Sequence, residues 1–326
     1  MPGTRASWGA ALAAVLTGAP TLAVSIDWVR VGMPGNAPDG HTGFGAVDYA
    51  YRIGRYEVTN AQYTEFLNAV AAADPNGLYN PEMASGLGGI ARSGDAGSYE
   101  YDAIAGREQM PVVFVSFYDA LRFANWLHNG QLAGAQDATT TEDGAYTITP
   151  QGIADNSITR NADATIFLPN EDEWYKAAYH DALGLKATDY FDYPAGSDVR
   201  TTCSLPTGAA NRANCENQVG DLAVVGSYSG SSSPWGAFDQ GGNVWEWSDA
   251  ISASGEGREI RGGAFGDSAG AFAVTHQASD LPSNESVVEG FRLASIPEPG
   301  TGLLLALGLL LLSAPARRPD RSAPRP

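Results

Sequence analysis

The run Gly241-Gly242-Asn243-Val244-Trp245-Glu246-Trp247 constrains this chain more than any other stretch. Two tryptophans bracket a single carboxylate, with asparagine and paired glycines just before them. Glycine lets the backbone turn its carbonyls toward one point, and the glutamate adds a charged oxygen there. Two further strings follow in order, Arg261-Gly262-Gly263 and Gly290-Phe291-Arg292.

With 326 residues, 44% of them hydrophobic, and seven tryptophans, the chain has ample material for a packed core. Its formal charge of −18 argues against nucleic acid, whose phosphates such a surface would repel. Acidity of this kind serves solubility and attracts divalent cations. Both ends read as addresses. Residues 1–23 carry one cation, Arg5, an apolar run from Trp8 to Leu16 and small residues up to Ala23, the pattern of a signal peptide. Residues 297–326 hold Pro297-Glu298-Pro299, a leucine-rich span and four arginines. The apolar span, Thr301 to Ala314, is 14 residues, short of the roughly 20 needed to cross a bilayer. This tail resembles the PEP-CTERM sorting signal of Gram-negative, exopolysaccharide-producing bacteria. That resemblance implies transient membrane contact, removal by an exosortase, and a periplasmic, cell-surface or matrix location. Setting both ends aside removes five arginines and two acids, which takes the remaining charge from −18 to −21.

Residues 24–296 read as one domain without internal repeats. Ile26 to Val31 and Tyr49 to Val58 are strand candidates. Thr59 is an N-cap with Gln62 completing a capping box, and Tyr63, Phe66, Leu67 and Val70 form one apolar stripe. A second helix runs from Ser116 to about His128, and a third from Asn170 to about His180, with Glu171, Asp172 and Glu173 favouring its N-terminal dipole. A hairpin turning at Asp143-Gly144 is expected between these two helices. Short strands and loops follow Asp181. Three main helices early and short antiparallel strands late make an α+β fold. Cys203 and Cys215 are the only cysteines, and export makes a disulfide the default, a redox-active or metal-binding pair being the alternative.

Seven landmarks in order resemble the formylglycine-generating enzyme family, also called sulfatase-modifying factors. Glu57-Val58-Thr59-Asn60 is similar to its E-V-T-N entry, and Pro111 to Ser116 to its P-V-x-x-V-S segment. Phe167 to Trp174 resembles R-L-P-T-E-A-E-W, and Val225-Gly226-Ser227-Tyr228 resembles P-V-G-S-F. The Gly-Asn-Val-Trp-Glu-Trp run and the Arg-Gly-Gly and Gly-Phe-Arg strings complete the set. The resemblance implies a modified C-type-lectin-like fold with much irregular structure. It also implies calcium at Asp239, Gly242, Val244 and Glu246, and a second calcium at Asn211, Arg212, Asn217 and Val219.

Family members that oxidise a target cysteine to formylglycine hold Cu(I) on two cysteines beyond Arg-Gly-Gly, because soft thiolates select that ion. Here those positions fall near Asp267 and Phe272, so copper is not expected. A related branch that makes sulfoxides in the ergothioneine pathway holds iron on histidines. The four histidines here, His41, His128, His180 and His276, are scattered, and those ending the two helices are explained by the helix dipole. The chain therefore reads as an exported binding module for peptide or exopolysaccharide, with Tyr228, Trp235, Phe238 and Phe265 as candidate stacking surface. The alternative is a divergent oxidoreductase that modifies an exported protein through Asp267, His276 and Arg292.

Overall fold

The computed structural model describes residues 23–297 apart from Leu185 and Ala187. The signal-peptide and sorting-tail readings therefore lie outside the described residues, except for Ala23 and Pro297. Among the described residues no helix is long and apolar enough to cross a membrane.

Three helices begin where their capping residues place them. Helix α1, Asn60–Val70, is preceded by Thr59, whose hydroxyl accepts from Gln62 N while Gln62 Oε1 accepts from Thr59 N. Helix α2, Phe117–His128, uses Ser116 and Asp119 in the same reciprocal way. Helix α4, Glu171–Tyr179, uses Asn170 and Glu173. Each cap satisfies amides that the first turn leaves open. A five-residue helix α3, Pro150–Ala154, was not anticipated.

Two four-stranded sheets frame the core. In the first, β1 (Trp28–Val31) pairs with β2 (Tyr51–Gly54), which pairs with β12 (Ala294–Ser295) and through it with β5 (Ile166–Phe167). The start and end of the domain thus close on each other. In the second, β10 (Ala278–Asp280), β9 (Arg258–Arg261) and β8 (Trp245–Ile251) run antiparallel, and β11 (Glu289–Gly290) joins β8 in parallel. The strand after Asp181 is thus not uniformly antiparallel. The short pair β6 (Thr202–Cys203) and β7 (Arg212–Ala213) is parallel as well, and a small hairpin joins β3 (Ile90–Ser93) to β4 (Glu100–Ala103).

The expected hairpin at Asp143-Gly144 is absent. Between α2 and β5 only one isolated bridge forms, Tyr146 with Arg160. The segment is instead tied to α2 by Asn125, whose Nδ2 donates to the carbonyls of Thr141 and Tyr146 and whose Oδ1 accepts from Tyr146 N. A buried side chain here does what a strand ladder would do, so the segment needs no partner strand.

Tyr63, Phe66, Phe123, Trp126 and Phe291 interlock through ring contacts at 5.3–5.8 Å between α1, α2 and the Gly-Phe-Arg segment. Edge and offset ring contacts of this kind add to the area buried.

Candidate functional site

The Gly-Asn-Val-Trp-Glu-Trp run turns into β8 and directs its carboxylate inward. Glu246 and Arg292 are both fully buried. Arg292 Nε donates to Oε2 at 2.5 Å and Nη2 donates to Oε1 at 2.6 Å, while Trp174 Nε1 donates to Oε2 at 2.7 Å. The remaining donors of Arg292 reach the carbonyls of Gly54 and Phe238. One side chain, just before β12, thereby ties together β8, the loop before it and β2. Trp247 is wholly buried and donates to the Val115 carbonyl, whereas Trp245 is half-buried against the His276 ring.

Asn243 occupies the centre of this turn. Its Oδ1 accepts from Ala223 N and Asn214 Nδ2, and its Nδ2 donates to Glu57 Oε1 at 3.1 Å. Gly242, at φ +89°, lies so close to the Asn214 carbonyl that a Cβ would meet it at 2.4 Å. Only glycine fits there.

Calcium is implied at Asp239, Gly242, Val244 and Glu246, and the surroundings fit a hard cation, though not through the donors expected. Both oxygens of Glu246 are occupied by Arg292 and Trp174. Asp239 Oδ2 accepts from Gly226 N at 2.6 Å. Burial raises the Asp239 carboxyl to about 6, the Glu246 charge adding to the rise and the Gly226 amide and Arg292 opposing it. Next to it Glu57, 1% exposed, leaves Oε2 without a partner. Burial, and then the charge of Asp239, push the Glu57 carboxyl well up. Glu57, Asp239 and Glu246 act on one guanidinium, and the upward shifts of Glu57 and Asp239 favour their neutral forms over unanswered buried charges. A divalent cation would instead draw on their ionised forms. Among the described residues no three His, Cys, Asp or Glu side chains gather in a metal-ligating arrangement, so main-chain and amide oxygens would have to complete the shell.

The residues of the second implied calcium point to different neighbours. Asn211 donates to Ser197 Oγ and the Val199 carbonyl, and Arg212 N donates to Ser231 Oγ. Asn217 is exposed, and its amide donates to the Phe265 carbonyl. Val219 is half-buried.

The cysteine-free loop after Arg261-Gly262-Gly263 is filled by packing. Asp267 Oδ2 accepts from Ala264 N and closes a tight turn. Phe272 is fully buried against Ala213, Cys215 and Ala269. Gly263, at φ +71°, accommodates it, since a Cβ there would stand 2.6 Å from the Phe272 ring. Asp267, His276 and Arg292 do not form one site. Arg292 is sealed on Glu246, and His276 is exposed with its carbonyl accepting from Arg261.

Other expectations change too. Tyr228 and Phe265 are buried, Phe238 stacks on Tyr56, and Trp235 is half-buried against His180, so these four rings present no common surface. His180 is 2% exposed between Tyr190 and Trp235, a packing role that the helix dipole did not foretell. His128 Nδ1 lies 3.0 Å from Thr165 Oγ1. Cys203 and Cys215 form a disulfide, with Cα atoms 5.0 Å apart. The first-turn acids of α4 are cross-links as much as dipole partners: Glu171 pairs with Arg261, Asp172 accepts from Gly45 N, and Glu173 binds Arg160.

Beside the loop carrying Phe272 lies an open groove of about 610 Å³, lined by His41, Asp192, Tyr193, Asp198, Arg200 and Thr275 among others. A closer cavity of about 300 Å³ lies between Asp27, Tyr56, Glu57, Thr59, Gln109 and Val224.

Residues 45–296 match the Sulfatase-modifying factor enzyme 1-like domain, and the chain belongs to that family. Hercynine oxygenase of Mycolicibacterium smegmatis is 25% identical over 280 residues, covering 75% of this chain and 53% of that protein. The chain thus spans about half the length of the curated relative it matches. Two solved structures share the fold. CarF is 24% identical with a TM-score of 0.51, covering 83% of this chain and 98% of that one. Treponema denticola variable protein 1 is 20% identical with a TM-score of 0.53, covering 84% and 96%.

Proposed function

We propose that this protein is an exported, calcium-stabilised binding module of the sulfatase-modifying factor family that does not carry out copper-dependent cysteine oxidation. The observation that carries this reading is the filling of the loop after Arg261-Gly262-Gly263. Asp267 closes a turn through its carboxylate, which accepts from Ala264 N, and Phe272 is core, so neither offers a soft donor for Cu(I). The alternative of a divergent oxidoreductase draws on the likeness to a hercynine oxygenase, but its proposed residues Asp267, His276 and Arg292 share no accessible site.

Calcium would be held around Asp239 by carboxylate and carbonyl oxygens and would rigidify the turn that presents the neighbouring loops. The groove beside Thr275 is the ligand site of this reading. The groove gathers Asp192, Asp198, Arg200 and His41, with Asp198 paired to Lys186 and Arg200 to Glu216, and Tyr193 adds a ring, an arrangement suited to the hydroxyls of an exopolysaccharide more than to a charged peptide. The disulfide agrees with an oxidising compartment. The sorting tail would retain the protein at the membrane until an exosortase releases it to the surface or matrix.

Incubation of the protein with a cysteine-containing sulfatase-type peptide, copper and oxygen should leave the peptide mass unchanged. Conversion of the cysteine to an aldehyde would overturn the reading. Metal analysis of the purified protein should find calcium without stoichiometric copper or iron.

A further inference from the structure

The segment that enters β1 is tied down by two glutamine side chains. Gln131 Oε1 accepts from Val24 N at 2.6 Å, and Gln131 Nε2 donates to the Val24 carbonyl at 2.9 Å. One residue further on, Gln62 Nε2 donates to the Ser25 carbonyl at 2.9 Å. A side-chain amide that takes both main-chain groups of one residue stands in for a strand partner, here at a residue outside any strand. The end of α2 sets Gln131 for this contact. Beyond His128, Gly130 N donates to the Leu127 carbonyl and Gln131 N to the Trp126 carbonyl. That wrap leaves Gln131 at φ +63°, a left-handed conformation uncommon for such a residue. Conformations of this kind persist where the surrounding contacts over-determine them.

Val24 is half-buried against the core, whereas Ala23 is exposed. Ala23 lines a cavity of about 230 Å³ together with Glu65, Asn68, Trp126 and Gln131. Asn68 is committed to both main-chain groups of Tyr101. Glu65 is the single ionisable side chain among the described residues lining this cavity. The sequence reads residues 1–23 as a signal peptide, which puts the end of the leader at the bond between the cavity-lining Ala23 and the clamped Val24.

We propose that the cavity beside Gln131 is a receptor site for the α-ammonium group that export creates on Val24. A signal peptidase adds water across the Ala23–Val24 peptide bond. The hydroxyl goes to the Ala23 carbonyl carbon, which leaves with the leader as a carboxylate, and the hydrogen goes to the Val24 nitrogen, which then takes up a proton. The peptide nitrogen had one N–H, given to Gln131. The ammonium group has three, so one stays with Gln131 Oε1 and two are new. Departure of Ala23 opens the cavity at that place, and the Glu65 carboxylate answers the new charge. Removal of the leader thereby adds a contact that the precursor lacks and tightens the fold after export. This inference rests on the export reading above and adds what the folded domain does with its processed end.

The test begins with export of the full-length precursor in a Gram-negative host and N-terminal sequencing of the product, which should start at Val24. Thermal melts then compare this form with the same protein carrying a two-residue Gly-Ala extension ahead of Val24, which restores the peptide bond. At pH 6 to 7 the Val24 form should melt about 2–4 °C higher. Glu65→Gln should erase most of that advantage and leave the extended form unmoved. Glu65 is exposed, so the substitution disturbs no packing. An α-amino group titrates near about 8 in an unfolded chain, and its pKa rises in the folded one if Glu65 and Gln131 hold the charged form. The advantage is therefore complete below about pH 8 and is lost as pH rises through the raised value. If the exported protein retains residues 1–23, the export reading fails and the inference falls with it. If the product starts at Val24 but the two forms melt alike, or Glu65→Gln lowers both equally, the receptor site is overturned and the export reading stands. A first residue other than Val24 overturns the receptor site in the same way.

Discussion

Arg292 grips Glu246 through two parallel hydrogen bonds, of 2.5 and 2.6 Å, with both residues fully buried. The pair unites two strings that the sequence separates by 46 positions, and it explains why the carboxylate between the tryptophans is committed to architecture. Removing one partner of such a pair leaves the other as an uncompensated buried charge. Arg292→Ala should therefore destabilise the protein by about 3–5 kcal/mol. Arg292→Lys keeps the charge but loses the two-pronged geometry, and its loss should be smaller than that of the alanine variant. Urea unfolding of the three proteins measures both effects, and equal midpoints for wild type and Arg292→Ala would refute this account of the pair.

Phe272 and Gly263 are coupled by contact. Phe272→Ala should cost about 3–5 kcal/mol, as large aromatic truncations in cores do. Gly263→Ala should be harmful alone, because a Cβ would press into the Phe272 ring and alanine disfavours φ +71°. In the Phe272→Ala background part of that harm should vanish, since the ring clash is relieved while the close approach to Ala271 Cβ, 2.9 Å, and the backbone strain remain. A double-mutant cycle from denaturant midpoints reads the coupling directly, and strict additivity would show that the two do not meet in solution.

The Cys203–Cys215 bond closes a loop with a sequence separation of 12. Loop closure of about that length stabilises by about 3 kcal/mol in the chain-entropy account. The double variant Cys203→Ser/Cys215→Ser should lose about that much, and wild type in a strong reductant should melt at the same lowered temperature. Thiol titration of the unreduced protein should detect no free cysteine.

Asp119 caps α2 from the inside, accepting from Ser116 N at 2.9 Å and from Ser116 Oγ at 2.6 Å. Burial raises its carboxyl to about 7, against the lowering effect of the Ser116 hydrogen bonds and with help from the Glu285 charge. The folded protein therefore binds this proton more tightly than the unfolded chain, where aspartate titrates near about 4. Its contribution to stability is complete below about pH 4 and is lost as pH rises through about 7. Asp119→Asn keeps an acceptor for Ser116 and removes the titration. Denaturant midpoints between pH 4 and 7 should fall more steeply for wild type than for Asp119→Asn, and parallel curves would contradict the shift.

Local chemistry made much of the fold legible. Thr59 with Gln62, Ser116 with Asp119, and Asn170 with Glu173 lie within one helical turn of each other, so three helix starts can be read from short stretches of sequence. The parallel pairing of β8 with β11 could not be, because it depends on a chain segment returning from 44 residues away, Glu289 opposite Trp245. The hairpin expected at Asp143-Gly144 failed for a related reason. Its turn residues are suitable, but the buried Asn125 of α2 supplies the hydrogen bonds that a partner strand would otherwise provide.

The candidate site divides along the same line. The absence of thiols at Asp267 and Phe272 was legible, because identity at a position is a property of sequence. Its structural meaning, a turn clasp and a core ring, was not. Glu57 was passed over because nothing in its own segment distinguishes it from any glutamate before a helix. Arg258 was missed likewise: it is fully buried, bonded to Asn156 and to the Ile158 carbonyl a hundred or so positions upstream.

By itself, then, the sequence determined the family, the α+β class, the helix starts and the lack of a copper-binding cysteine pair, all set by short-range patterns and residue identity. The tertiary structure alone decided which charges pair. Glu246 goes to Arg292, Glu171 to Arg261 and Glu173 to Arg160. Charge pairing in a desolvated interior is fixed by distances of a few ångströms between segments far apart in the chain, and no local pattern encodes those distances.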